Sequence, residues 1–342
     1  MNRLVVIALP FSLLAAGPAS SSVLLPTDWS RAGSDAGMSF GQSIAPAGKG
    51  SLDPNGSSDL LVGSPTFSGP FIRCGMAALY RGAPSGPTLG WQFVGTQGGA
   101  ATGFAVAPAG DINGDGRPDI LVSAPLYNGP GGADAGRVYL FFGTGNGPAL
   151  APSQTFDGID GGDQFGFSIA GVGDIDADGY DDVLIGSPNH LSSHVEEGAV
   201  SLYRGSPAGL VAAGWFATGD ERNARLGHAV AGAGDVDADG FADVVVGAPG
   251  TNATFRAEGS AFVYRGSATG LEASPISVLH GASDSAGFGA AVSRAGDVNG
   301  DGYADVLFGA PNTSQVGYAS LWSGSPSGLN TMLWEAYGSE AG

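Results

Sequence analysis

The stretch with the clearest chemistry is a nine-residue segment with carboxylates at its first, third, fifth and ninth positions. These are Asp235, Asp237, Asp239 and Asp243, and Gly240 occupies the sixth position. Alternate spacing directs the first three side chains into one concavity, and the glycine lets the chain turn back with positive φ. Converging carboxylates repel one another unless a hard cation binds them. Ca²⁺ fits best because it accepts six to eight oxygens in flexible geometry, and Mg²⁺ ranks second.

This segment begins like an EF-hand loop but does not continue as one. An EF-hand needs a bidentate glutamate at position 12 and flanking helices. Position 12 here is Val246, inside an apolar, β-branched run that predicts a buried strand. The ninth residue must therefore close the site.

The loop recurs at a regular period, and we refer to all copies as the Asp loops. The closing aspartates are 60 to 63 residues apart. In the complete copies the predicted ligand side chains are Asp111, Asn113, Asp115 and Asp119; Asp174, Asp176, Asp178 and Asp182; Asp235, Asp237, Asp239 and Asp243; and Asp297, Asn299, Asp301 and Asp305. A degenerate first copy has Ser51, Asp53, Asn55 and Asp59. We expect about four Ca²⁺ sites and a weak fifth, with the third and fourth loops tightest because affinity follows ligand charge.

The elements that must position these loops are short strands. In each repeat a strand of small residues precedes the loop, and we expect it to begin at the Phe-Gly pair or its equivalent, as at Phe165-Gly166. An apolar strand without alternation follows the loop, which predicts burial on both faces. A third strand begins at a glycine and a fourth is short and aromatic. A four-stranded antiparallel unit repeated about every 60 residues is typical of a β-propeller blade. A parallel β-helix would need coils of roughly 20 residues.

The order Phe165-Gly166, Asp loop, then Gly-Ala-Pro as at 247–249 resembles the FG-GAP repeats of integrin α chains and of bacterial exported proteins. The resemblance covers about residues 29–338. It implies Ca²⁺ in the Asp loops and partner binding on the opposite face, through the loops between strands 2 and 3 and between blades. It also suggests further backbone carbonyl ligands at Arg117, Tyr180, Phe241 and Tyr303. Thr102, Leu226 and Ser51 depart from the pattern.

The N-terminal residues 1–19 read as a secretory signal peptide, because a basic start precedes a short apolar run and small residues. We therefore predict a secreted or cell-surface protein. The propeller is expected over 20–342, with repeats at about 29–90, 91–153, 154–215, 216–277 and 278–338. An opening strand at Trp29 and a separate last strand at 333–338 are one outer strand too many for a five-bladed ring. The family usually has seven blades, so we expect an incomplete seven-bladed propeller.

The net charge of −19 argues against nucleic acid, which needs a basic surface. No stretch is long enough to cross a membrane. Cys74 is the only cysteine, so no internal disulfide can form. It is either a small buried residue or a thiol that pairs with another chain.

Enzyme motifs are absent: the sequence has no nucleophile elbow, phosphate-binding loop or zincin motif. His228 and His280 are isolated. His190 and His194 share a loop with glutamates, which we interpret as a polar loop rather than a metal site. A binding protein without enzymatic activity is therefore predicted.

The loops between strands 2 and 3 vary most, and binding residues of propellers lie on such loops. We predict an adhesion or protein-binding module whose partner is an extracellular protein. A glycan-binding propeller is the alternative, suggested by the aromatic side chains of Tyr127 and Phe255, which we expect to be exposed. A structural repeat segment of a larger exported protein is the third hypothesis.

Overall fold

The computed structural model describes residues 37–47, 58–83, 86–311 and 316–338. In these ranges the chain is all β, with five four-stranded antiparallel sheets and one two-stranded hairpin. The predicted signal peptide, the Trp29 strand and Ser51, Asp53 and Asn55 of the first Asp loop lie outside the described residues.

The sheets follow the repeats in chain order, one sheet to a repeat. The first contains β1 (Ser43–Pro46), β2 (Leu60–Ser64), β3 (Met76–Arg81) and β4 (Thr88–Val94). The second contains β5 (Val106–Gly110), β6 (Asp119–Ala124), β7 (Arg137–Phe141) and β10 (Gln154–Asp157), with the hairpin β8 (Gly143–Thr144) and β9 (Gly147–Pro148) before its last strand. The third contains β11 (Ser168–Gly173), β12 (Asp182–Ser187), β13 (Ala199–Arg204) and β14 (Val211–Thr218). The fourth contains β15 (Ala229–Gly234), β16 (Asp243–Ala248), β17 (Ser260–Tyr264) and β18 (Ser277–His280). The fifth contains β19 (Ala291–Gly296), β20 (Asp305–Ala310), β21 (Tyr318–Ser323) and β22 (Thr331–Tyr337).

The strands that follow the Asp loops form the buried layer of each sheet. Every residue of β6, β12 and β16 is buried, as the lack of alternation predicted. Neighbouring sheets pack face to face, so that Val245 of β16 lies in one apolar cluster with Phe308 of the fifth sheet and with Phe288, which precedes that sheet. Four-stranded antiparallel sheets stacked in this way are propeller blades, and the all-β propeller prediction is confirmed.

The first strands of successive blades pack side by side, in the order β1, β5, β11, β15 and β19. Small residues make this approach possible: a Cβ added to Gly171 would lie 2.5 Å from the carbonyl oxygen of Pro108. The Phe-Gly pair was expected to open this strand but forms the turn before it. Gly166 has φ of +86° and β11 begins only at Ser168. That conformation suits glycine.

A side chain of the fourth strand joins each of the first four blades to the next. Trp91 Nε1 donates to the carbonyl of Ala149 at 3.0 Å, and Trp215 Nε1 donates to that of Glu272 at 3.0 Å. The fifth sheet carries its own fourth strand, β22, as predicted, and Trp334 occupies the same position there. Trp334 is 50% exposed, and Leu307 of β20 is also exposed. Within the described ranges, one face of the fifth blade is therefore uncovered.

Two further expectations concern burial and the membrane. Cys74 is fully buried, which favours the interpretation as a small core residue over a thiol available to another chain. Among the described residues, no helix has the length and apolar character needed to cross a membrane.

Candidate metal loops and the opposite face

Each complete Asp loop is held by its closing aspartate, which is buried and accepts two backbone hydrogen bonds. Asp182 Oδ2 accepts from the Ile175 amide at 3.0 Å, and its Oδ1 accepts from the Gly205 amide at 2.9 Å. The same pair of bonds recurs at the three equivalent residues, Asp119, Asp243 and Asp305. One carboxylate thus ties the start of the loop to the end of the third strand.

The first aspartate holds the turn itself. Asp235 Oδ1 accepts from the Asp239 amide at 3.0 Å, and its Oδ2 accepts from the Gly240 amide at 2.9 Å. Asp239 in turn accepts from the amide of Phe241 at 3.0 Å. The same bonds form in the other three complete loops at 2.8 to 3.1 Å. Each carboxylate oxygen has two lone pairs, so these bonds leave acceptor capacity for a cation.

The donor set of the loops suits a hard cation. Side-chain oxygens of Asp174, Asp176 and Asp182 lie within 4.8 Å of one another, as do those of Asp235, Asp237 and Asp239. In the second and fifth loops the third position is the amide of Asn113 or Asn299. Carboxylate and amide oxygens are the ligands that Ca²⁺ prefers.

The closing carboxyls are costly to ionise without a cation. Burial raises the pKa of Asp119, Asp182 and Asp243 to about 7, although their backbone hydrogen bonds act in the opposite direction. A bound cation would favour the ionised form. The predicted roles of these side chains, and of the carbonyls of Arg117, Tyr180, Phe241 and Tyr303, stay proposals.

The first loop is described only at its end. Asp59 is buried and its Oδ1 accepts from the Gly82 amide at 3.0 Å. It therefore repeats one of the two bonds of the closing aspartates. This bond does not require a bound ion, so it leaves the prediction of a weak first site unchanged.

Arginines at the end of the third strand contact the extra carboxylates of the third and fourth loops. Arg204 lies 3.1 Å from Asp176, and Arg265 pairs with Asp237 and lies 3.7 Å from Asp239. In the loops with asparagine at the third position the residue equivalent to these arginines is Phe142 or Ser323. Each extra negative charge is thus offset by a positive one. The predicted ranking of the loops stays untested, and these pairs oppose it.

Removing Arg265 should therefore strengthen Ca²⁺ binding in the fourth loop. We expect Arg265→Ala to raise the affinity by about fivefold, or about 1 kcal/mol, the upper range for a partly exposed ion pair. Phe241→Trp adds a tryptophan to this loop, so the Tb³⁺ luminescence gained relative to the chain with Phe241, and its displacement by Ca²⁺, report the affinity of this site. Arg222→Ala, on the opposite face, is the matched control. Equal affinity in both variants would show that Arg265 does not oppose the cation.

The opposite face is formed by the loops between the second and third strands and by the connections between sheets. A cleft of about 430 Å³ lies there, lined by Arg222, Arg225, Arg256 and Glu196 among others. Arg225 pairs with Glu196 at 2.9 Å. Arg222 and Arg256 are exposed, and neither side chain forms an ion pair within the described part of the chain. The cleft is therefore basic, whereas the chain as a whole has a net charge of −19.

The two histidines of the loop at 189–197 contact different residues. His194 lies 3.3 Å from Glu197, whose carboxylate also accepts the amides of Ser192, Ser193 and His194. These bonds lower the pKa of Glu197 to about 2 against the effect of burial. This half of the loop is a turn held by hydrogen bonds to the Glu197 carboxylate. His190 contacts Asp163, a residue that the sequence analysis missed.

The two aromatic residues suggested for glycan binding differ in their exposure to solvent. Tyr127 is half-buried against the core, and the Arg137 guanidinium lies 3.9 Å from its ring centroid. It was expected to be exposed, and this is wrong because the loop folds back onto the blade. Phe255 is 42% exposed, as expected.

Comparison with known proteins identifies the repeats. A model of the FG-GAP repeat matches residues 102–141 and 165–203, and a model of the FG-GAP-like repeat matches residues 235–308. The chain is 33% identical over 217 residues to integrin alpha-8 of Gallus gallus, covering 61% of this chain and 20% of that protein. It is 39% identical over 161 residues to integrin alpha-IIb of Homo sapiens, covering 43% and 15%. The chain thus spans about a fifth of the length of these relatives.

Among solved structures, a rhamnogalacturonan lyase of Bacillus licheniformis aligns with 87% of this chain and 51% of its own. Its sequence identity is 14% and the TM-score is 0.49. A likeness at this level transfers no activity to the present chain.

Proposed function

Since the chain belongs to the integrin-like FG-GAP repeat proteins, we propose that it is an exported, calcium-binding β-propeller that acts as an adhesion or protein-binding module. The observation that carries the proposal is the repeated frame of the Asp loops. In all complete loops the first and last aspartates use both carboxylate oxygens for the same backbone amides. In the third and fourth loops, three carboxylates also lie within 4.8 Å of one another.

The role of Ca²⁺ in this proposal is structural. The closing aspartate joins the loop to the third strand of its own blade, and Arg204 extends this connection to Thr269 of the next blade. A cation bound in the loop would hold its carboxylates together despite their repulsion. The blades would then present the loops of the opposite face in fixed positions.

The cleft with Arg222 and Arg256 is where we place the partner. Two exposed guanidinium groups that form no ion pair among the described residues favour an acidic segment of an extracellular protein, because arginine binds carboxylates in bidentate geometry. The chain itself is acidic overall, so this cleft is a local exception.

A binding assay with variants on both faces tests this proposal. The folded chain, labelled and saturated with Ca²⁺, is screened against immobilised extracellular proteins and against a glycan array. We expect protein binding that Arg222→Ala and Arg256→Ala weaken by at least about tenfold, since hydrogen bonds to charged groups are worth about 1.5 to 3 kcal/mol. Arg117→Ala on the face of the Asp loops is the control. Binding that survives both cleft substitutions would contradict the assignment.

The glycan alternative rests on a specific observation, the exposure of Phe255 beside the same cleft. An exposed aromatic ring can stack on a sugar. If glycans bind instead of proteins, Phe255→Ala should abolish the array signal while the protein stays folded.

The exposed face of the fifth blade supports the proposal of an incomplete propeller. Trp334 stands where Trp91 and Trp215 donate to the following blade, and the groove beside it is lined by Ala291, Gly309 and Tyr318. We infer that a further FG-GAP blade covers this face. Extending the expressed chain by a consensus blade should then bury Trp334 and blue-shift its fluorescence, with Trp334→Phe as the control. An unchanged spectrum would oppose this idea.

A further inference from the structure

A buried aspartate–histidine pair lies on the opposite face, at the seam between the second and third blades. Asp163 belongs to the connection between β10 and β11, and His190 follows β12. Asp163 Oδ2 and His190 Nδ1 are 2.8 Å apart, and the two residues are 3% and 7% exposed. Asp160 joins them, so that one ligand atom of each residue lies within 4.8 Å of the others.

The other seams show that packing does not require Asp163. Its position in the equivalent connections is held by Ala100, Ala224 and Ala286, all of them buried. A methyl group therefore fills this space in the repeat. A carboxylate placed there has to be desolvated, which is unfavourable unless it gains partners.

His190 is likewise not required by the backbone of its loop. Its amide donates to the Ser187 carbonyl and its carbonyl accepts from the Gly198 amide. The equivalent residues Tyr127 and Thr251 make the same two backbone bonds with different side chains. The imidazole is therefore a feature of this seam alone among the described loops.

Asp160 differs from its counterparts in its hydrogen bonding. At the equivalent position Gln97 accepts from the Asn128 amide, and Glu221 accepts from the Asn252 amide. No such bond joins Asp160 to the corresponding amide of Leu191 in the part of the chain that the structure describes. The shorter side chain of Asp160 instead lies beside Asp163 and His190.

The pair also leaves an unsatisfied atom. Asp163 Oδ1 is buried and has no hydrogen-bond partner among the described residues. A buried carboxylate oxygen without a partner costs free energy, so this atom calls for a ligand.

We propose that Asp160, Asp163 and His190 bind a divalent transition metal of the Zn²⁺ type at this seam. An imidazole nitrogen with two carboxylates is a donor set that suits Zn²⁺, whereas Ca²⁺ takes oxygen ligands only. Three protein ligands leave at least one coordination position for water. The site is reachable from solvent, since the neighbouring Ile159 and Leu191 are 77% and 52% exposed. The ion joins the connection from the second blade to a loop of the third.

The test uses the full chain with the Asp loops saturated by excess Ca²⁺. Calorimetry with Zn²⁺ should then show one further site, and Co²⁺ should give visible absorption bands at the same stoichiometry. Asp163→Ala and His190→Phe introduce residues of the kind that other repeats carry, so both variants should fold. We expect each to weaken Zn²⁺ binding by at least about tenfold. His194→Ala, in the same loop, should leave it unchanged.

Thermal unfolding separates a metal site from a merely structural ion pair. If the metal binds, Zn²⁺ raises the Tm of the unsubstituted chain and of His194→Ala but not that of Asp163→Ala. Absence of a Zn²⁺ site in the presence of Ca²⁺, or equal binding by Asp163→Ala, overturns the proposal. It does so without affecting the proposed function, because the Asp loops and the arginine cleft do not involve these residues.

Discussion

Removal of Ca²⁺ with EDTA is expected to lower the Tm by an amount on the order of 10 °C. Each filled Asp loop adds about 2.7 kcal/mol at a Ca²⁺ concentration of 100 times Kd, if the sites are independent. Several sites together therefore shift the transition by many degrees, since about 1 kcal/mol moves the Tm of a large domain by about 2 to 4 °C. Differential scanning calorimetry of the chain in EDTA and in Ca²⁺ measures this shift.

The control for this prediction compares Ca²⁺ with Mg²⁺ after treatment with EDTA. Ca²⁺ added back should restore the original Tm better than Mg²⁺, which prefers a stricter octahedron with several waters. An unchanged melting curve in EDTA would contradict a structural role for the cation.

The second large effect concerns the closing aspartate and does not need a cation. In EDTA, Asp182→Ala should lower the free energy of unfolding by about 2 to 5 kcal/mol, because the buried amides of Ile175 and Gly205 each lose their acceptor. Urea denaturation monitored by tryptophan fluorescence gives this value. Metal loss cannot contribute, since no Ca²⁺ is present.

The matched control is Asp178→Ala in the same loop. Asp178 is exposed, and among the described residues it accepts only from the Tyr180 amide, so its removal should cost no more than about 0.5 kcal/mol in EDTA. Similar losses of unfolding free energy in both variants would mean that Asp182 stabilises the fold no more than Asp178 does. In Ca²⁺, both substitutions should weaken cation binding.

Much of the fold could be predicted because the pattern is local and repeated. The spacing of the Asp loops predicted the number of four-stranded sheets. The unbroken apolar runs, such as Val244–Val246, predicted the buried second strands. The turn at Gly166 was mistaken for strand, since composition alone does not distinguish a strand from the tight turn that precedes it. Its positive φ is visible only in the structure.

The features of the candidate sites that were not predicted from the sequence depend on contacts between segments far apart in the chain. Gly205 donates to Asp182 from 23 residues away, and Asp163 meets His190 across 27 residues. The sequence of a single loop does not reveal either contact. Alignment of the repeats could have given a signal, because Asp163 replaces an alanine and Arg204 and Arg265 occur in repeats whose loop has aspartate at the third position.

The most direct test of the central claim is a count of bound Ca²⁺ by native mass spectrometry at moderate Ca²⁺ concentration. We predict about four ions on the folded chain, one for each complete Asp loop, with the degenerate first loop empty or weak. Asp239→Asn should remove or weaken one of these ions and leave the others in place. A chain that carries no Ca²⁺, or that keeps the same count and affinities after Asp239→Asn, would contradict the assignment of these loops as calcium sites.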